Sequence, residues 1–156
     1  MPSLDILSIN MNYLEKSYLS VCKATHILSS MYDNICFPVC QEFAFDIVGI
    51  KNNDMHRIKV LRTECKAPSG SYVVNIRNND KKFPFDPSMC EMIFVDSPDG
   101  LYFIPSKIIT QKRAISLSMF KDYLLRLSSA VEQETVNFLV GGSNPSDADI
   151  LESGKR

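Results

Sequence analysis

The sequence has no apolar run approaching the roughly 18 residues that a membrane-spanning helix needs, and so predicts no contact with a membrane. No basic segment followed by an apolar stretch stands near its start, where acidic Asp5 lies instead, which speaks against a secretory signal. Positive charge is not in excess either. Seventeen Lys and Arg face eighteen Asp and Glu, for a net charge of −1. Because phosphate contacts dominate nonspecific nucleic-acid affinity, global charge gives no strong hold on DNA, and any basic face must be local. Metal-ligand pairs are scarce as well. Cys36 and Cys40 in ICFPVC form a C-x3-C, but no second Cys/His pair follows, and His26 and His56 stand alone. A structural zinc site needs four ligands and is not expected. Five cysteines, an odd number, and seven methionines suit a reducing, intracellular setting better than a disulfide framework. The cysteines are expected to act as small buried hydrophobes.

What is present is ordinary globular composition: 45% hydrophobic and 22% charged residues over 156 positions, enough for one domain with its own core. Asn10 or Asn12 caps a helix running to about residue 30, with Leu14, Tyr18, Val21, Cys22, Ala24, Ile27, Leu28 and Met31 on one face. Residues 35–39, interrupted by Pro38, suit an edge strand or a strand end better than a central strand. FAFDIVGI (43–50) reads as a buried strand carrying a single acid, Asp46. Turn residues 51–54 then return the chain as a second strand over 57–65. A break at 68–70 precedes a third strand, SYVVNIR (71–77), and a polar loop with Lys81 and Lys82. Residues 92–95 and 101–104 flank Ser97-Pro98-Asp99-Gly100 and predict another hairpin.

A surface segment carrying Lys107, Lys112 and Arg113 leads to a helix capped by Ser116 or Ser118, with Met119, Phe120, Tyr123, Leu124 and Leu127 along one side. A short element containing Val136, Phe138, Leu139 and Val140 closes a single domain over 1–140. Residues 141–156 have no apolar period and are expected to form a flexible tail. The order of elements predicts an α/β fold with a mixed central β-sheet flanked by helices.

In this order, HRIKVLRT (56–63), GSYVVNIR (70–77), DGLYFIP (99–105) and RAISLS (113–118), with Phe37-Pro38 and Phe45-Asp46-Ile47-Val48 before them, resemble the PD-(D/E)XK nucleases. The likeness is to the homing endonucleases associated with group I introns. It extends over roughly residues 12–127. It implies a restriction-endonuclease-like core, similar to that of Holliday-junction resolvases. In that core a carboxylate on the first hairpin strand, and Gln or Glu, any residue and Lys on the second, hold Mg²⁺ and an attacking water; a helix Glu commonly completes the site. Phosphodiester hydrolysis needs the anionic centre neutralised and a nucleophile generated at neutral pH, and hard carboxylate oxygens suit Mg²⁺.

Carried over by position, the resemblance leaves one catalytic residue of four. Asp46 matches the first acid. Lys59 falls at the Gln/Glu position, Leu61 at the Lys position, and Ser20 or Val21 near the helix Glu, with Glu15 more than a turn away. Glu64-Cys65-Lys66 is an E-x-K farther along, but a turn centred on Asn52-Asn53 sets Asp46 opposite Lys59 and puts Glu64 and Lys66 on the other face. A bulge would reverse that. Asp46 then reads as a remnant that pairs with Lys59, while Lys81, Lys82, Lys107, Lys112 and Arg113 form a candidate phosphate-contacting face.

Three readings follow. One is an inactive nuclease-like domain that serves as a DNA-binding or protein-assembly module with no cofactor. Another is an Mg²⁺-dependent endonuclease rebuilt from Asp46, Glu64 and Lys66, with Glu15 as a further candidate. The third is a subunit of a homo- or hetero-oligomer with no role on nucleic acid.

Overall fold

The Asn12 side chain accepts the Glu15 N–H at 2.9 Å, and the Glu15 carboxylate accepts the Asn12 N–H at 3.0 Å. This reciprocal capping box satisfies two otherwise orphaned donors and starts helix α1 (Tyr13–Leu28). The computed structural model describes residues 12–40, 42–77 and 83–126. The described residues through Leu125 belong to one compact unit. The expected boundary at residue 140, the element near Val136, the tail over 141–156, and Lys81 and Lys82 lie outside the described residues.

Among the described residues seven strands follow: β1 (Asn34–Cys36), β2 (Ile47–Lys51), β3 (Asp54–Arg62), β4 (Val73–Asn75), β5 (Met92–Ser97), β6 (Gly100–Pro105) and β7 (Ala114–Ser116). Five of them form the main sheet in the order β1-β2-β3-β5-β6, and β4 and β7 make a second, two-stranded sheet. The β3–β5 pair is parallel and the other neighbours are antiparallel, so the main sheet is mixed. The fold is therefore the mixed α/β architecture that the sequence predicts.

The β2–β3 hairpin has the register set by its two-residue turn. Asn52 and Asn53 adopt φ of 52° and 67°, the left-handed pair of a type I′ turn that Asn tolerates, and Ile47 falls opposite Ile58. Alternation then sorts the sheet into two faces. Ile47, Gly49, Ile58, Phe94 and Asp96 face α1, which buries Ser20, Ala24, Ile27 and Leu28. The Tyr32 ring lies over Gly49 so closely that a methyl group there would come within 2.6 Å of Tyr32 Cδ1. The other face carries Ile93, Val95 and Ile104, in one cluster with Val74, Ile76, Phe85, Ile115, Leu117 and Phe120. The second sheet and its neighbouring turns thus cover this face, where helical cover was expected.

Several elements depart from the sequence expectation. The strand expected over 43–50 begins only at Ile47, because the Asp46 side chain occupies the place of a ladder acceptor: Asp46 N–H donates to Ile58 O at 2.9 Å while Asp46 Oδ2 accepts Val60 N–H at 2.8 Å. The strand expected to reach residue 65 ends at Arg62. There Thr63 Oγ1 donates to Val73 O at 2.5 Å and accepts Cys65 N–H at 3.1 Å, steering the chain toward β4.

The helix expected after Ser116 is instead a 3-10 segment, Leu117–Tyr123, broken at Phe120 (φ −119°, ψ 28°). It stops because the chain returns to extended pairing. Leu124 bridges to Tyr102, and Leu125 N–H donates to Leu101 O at 2.7 Å. Gly100, at φ 147°, makes room for this return: a Cβ there would meet Leu124 Cδ1 at 2.5 Å. The cysteines also differ from expectation. Cys90 is buried, Cys22 is half-buried, and Cys36, Cys40 and Cys65 are exposed, since β1 is an edge strand and the other two lie in loops. Among the described residues no helix is long and apolar enough to cross a membrane.

Candidate functional site

Asp46 ends the loop that feeds β2, and its environment is mostly protein. Burial raises its carboxyl above the ordinary value, against the lowering effects of the Val60 N–H and of the Lys59 charge. Lys59 is near enough to be felt but makes no ion pair with it. Its Nζ donates to the Ala44 carbonyl at 3.4 Å, and Nζ does not come within 4.0 Å of an Asp46 carboxylate oxygen. The expected Asp46–Lys59 salt bridge is therefore corrected: Asp46 is held by a backbone amide, and the ammonium by a backbone carbonyl. Leu61, two residues along β3 from Lys59, packs against the apolar cluster.

The E-x-K residues go elsewhere. Glu64 takes a 2.6 Å ion pair from Arg62 Nη2 and lies 3.6 Å from Lys16 Nζ, and these cations lower its pKa, the Arg62 hydrogen bond most of all. Lys66 Nζ sits 5.2 Å from the centroid of the Tyr72 ring. Glu15 is committed to the capping box. None of these four contacts includes Asp46. Among the described residues, no group of three or more His, Cys, Asp and Glu side chains is placed to hold a metal ion.

A polar centre that the sequence reading missed lies on the α1 face. Asp96 is 6% exposed; its Oδ2 accepts Ser20 Oγ at 2.8 Å, and its Oδ1 accepts Lys23 Nζ at 3.0 Å. Arg62 Nη1 stands 3.7 Å from Oδ2. Ser20, one of the two positions nearest the expected helix Glu, thus serves as a donor to a carboxylate of β5. The available signal was an acid at the end of the apolar run MIFVDS, the same pattern that singled out Asp46.

The candidate phosphate-contacting residues fall into separate places. Lys112 and Arg113 are exposed and, with Arg77 and Pro84, line a concavity of about 270 Å³. Lys107 lines a different cavity of about 390 Å³ beside His56, Ser88, Cys90 and Glu91. Glu91 there is clamped by Arg57, whose Nη2 lies 2.5 Å from Oε1 and whose backbone N–H donates to Oε2 at 2.6 Å.

No family model and no curated protein matches the chain. Among solved structures it is similar to the bacterial homing endonuclease I-Ssp6803I, with a TM-score of 0.59 and 14% identity over 76% of this chain and 82% of that one. The fold is homing-endonuclease-like. At 14% identity the likeness carries the fold and leaves the chemistry to the residues themselves.

Proposed function

We propose that the chain is a nuclease-like domain that binds DNA without cleaving it, a PD-(D/E)XK-type framework whose catalytic positions have been refilled. The observation that carries this reading is the setting of Asp46. One carboxylate oxygen is engaged by the Val60 N–H, the Lys59 charge acts on it, and Leu61 two residues on packs against the core. Mg²⁺ demands several oxygen ligands in near-octahedral geometry. A carboxylate with no second acidic side chain placed beside it among the described residues does not fit it, so no hydrolytic step is assigned to a metal here. The rebuilt alternative from Glu64 and Lys66 finds no support in their partners, which are Arg62, Lys16 and Tyr72.

A protein-assembly role draws on a different feature. β1 is an edge strand of the main sheet, and Phe37, Val39 and Phe43 after it are exposed. Sedimentation over a range of protein concentrations reads this directly.

The deciding experiment for the DNA reading is a pair of measurements on the full chain: nicking of supercoiled plasmid with Mg²⁺ or Mn²⁺, and mobility-shift titration of duplex DNA at two salt concentrations. Salt-sensitive binding without nicking is the expected result. Nicking that Asp46→Ala abolishes would overturn the inactive reading, and absence of any binding at low salt would overturn the DNA reading.

A further inference from the structure

Antiparallel pairing of β4 and β7 places Asn75 opposite Ala114. Arg77 leaves β4 two residues beyond that pair, and Lys112 and Arg113 enter β7 immediately before it, so three cations separated in sequence meet at one end of the small sheet. Their backbone is tied down. Ile76 N–H donates to Arg113 O at 3.0 Å, Phe85 N–H to Lys112 O at 2.8 Å, and Arg77 N–H to Asn75 Oδ1 at 3.0 Å. Among the described residues, the lining of the concavity they share with Pro84 contains no carboxylate. In a chain of net charge −1, this is a local concentration of positive charge on a fixed frame.

We infer that the concavity of Arg77, Lys112 and Arg113 seats a backbone phosphate of duplex DNA. The inference rests on the DNA-binding reading and names the surface that does the binding. Guanidinium forks match phosphate oxygens in pairs, and a lysine adds a point charge. A recess lined by one sign of charge focuses the field more than the same charges spread over a convex surface. Such a contact is blind to sequence and releases bound counterions, so it appears in the salt dependence of binding. It also needs nothing from Asp46, whose carboxylate is occupied elsewhere.

The test compares the full chain with the double variant Lys112→Gln/Arg113→Gln, both positions being exposed, in duplex-DNA titrations across a salt series, with circular dichroism melts to check folding. Arg77→Gln supplies a second variant, and Lys51→Gln/Lys121→Gln, at two exposed lysines outside the concavity's lining, a charge-matched control. The double variant is expected to bind about tenfold more weakly at about 0.1 M salt and to flatten the slope of log K against log salt by about 1–2. Lys51→Gln/Lys121→Gln is expected to change neither. Unchanged affinity and slope in the folded variants overturn this inference and leave the DNA reading standing. An equal effect from Lys51→Gln/Lys121→Gln overturns it too, since charge alone would then account for the loss. If the unmodified chain shows no salt-sensitive binding, both fall together.

Discussion

Ser20 Oγ reaches across 76 sequence positions to donate to Asp96 Oδ2 at 2.8 Å, and this contact ties α1 to the centre of the main sheet. Lys23 and Arg62 complete the ring around the same carboxylate, one from the helix and one from the neighbouring strand. Removing the acid leaves two cations and a hydroxyl facing one another where the helix meets the sheet. Asp96→Ala is expected to cost about 2–3 kcal/mol, less than for a wholly enclosed pair because both cations keep access to solvent. Urea unfolding read by circular dichroism checks it; a cost below about 0.5 kcal/mol would show that the helix docks through its apolar residues alone.

Asp46 makes a pH prediction. Its carboxyl is raised in the folded chain, first by burial, so between the ordinary value near 3.8 and the raised one the folded state holds more protons than the unfolded state. The stabilisation this group contributes is present in full below its unfolded pKa and is lost as pH rises through the folded pKa. Asp46→Asn keeps an acceptor for Val60 N–H and removes the buried charge, so its stability relative to the native chain is expected to grow as pH rises from 4 toward 8. Asp46→Ala, which leaves that amide without its acceptor, is expected to lose about 1–2 kcal/mol at neutral pH. Urea midpoints at a series of pH values separate the two variants, and parallel pH profiles for Asp46→Asn and the native chain would refute the burial account.

Gly49 is required by the ring above it. Gly49→Ala is expected to cost about 1–3 kcal/mol, because the new methyl group must displace the Tyr32 ring and disturb the 3.0 Å contact between its hydroxyl and His56 Nδ1. Thermal melting reads the loss. Restoring space with Tyr32→Leu in the alanine background should recover part of it, whereas a purely conformational effect at Gly49 would not be rescued.

The hairpin turn offers the opposite sign. Asn53 holds φ at 67°, a conformation that glycine adopts without strain. Asn53→Gly creates the Asn-Gly sequence favoured in type I′ turns and is expected to gain up to about 1 kcal/mol. A loss of stability in the same urea assay would mean that the Asn53 side chain does more than tolerate its conformation.

Much of the fold was legible because its signals are local. Asn12 with Glu15 three residues on, the apolar period of α1, Asn52-Asn53 and Ser97-Pro98-Asp99-Gly100 each act within a few positions, and the hairpin register follows from the turn. The segment after Ser116 was not legible. Its apolar spacing suits a helix, yet pairing of Leu124 with Tyr102, a partner far back in the chain, unwinds it. The Asp96 centre was hidden for the same reason, since Ser20 and Lys23 are remote in sequence and neither marks itself as a partner. Asp46 was found by position, but which atoms it holds depended on where β2 begins.

The mixed character of the main sheet carries a consequence for how the chain reaches its native state. The β2–β3 and β5–β6 hairpins each close over two-residue turns and can assemble within their own stretch of chain. Their joint, Ile58 beside Met92 in parallel, forms only once the intervening excursion through β4 has been looped back. Loop-closure entropy makes such distant pairing the slow event. Between those two stages β3 and β5 each present an open strand edge, a form open to pairing with another copy. The interval before the joint closes is therefore when crowded, newly made chains face their greatest hazard of aggregation.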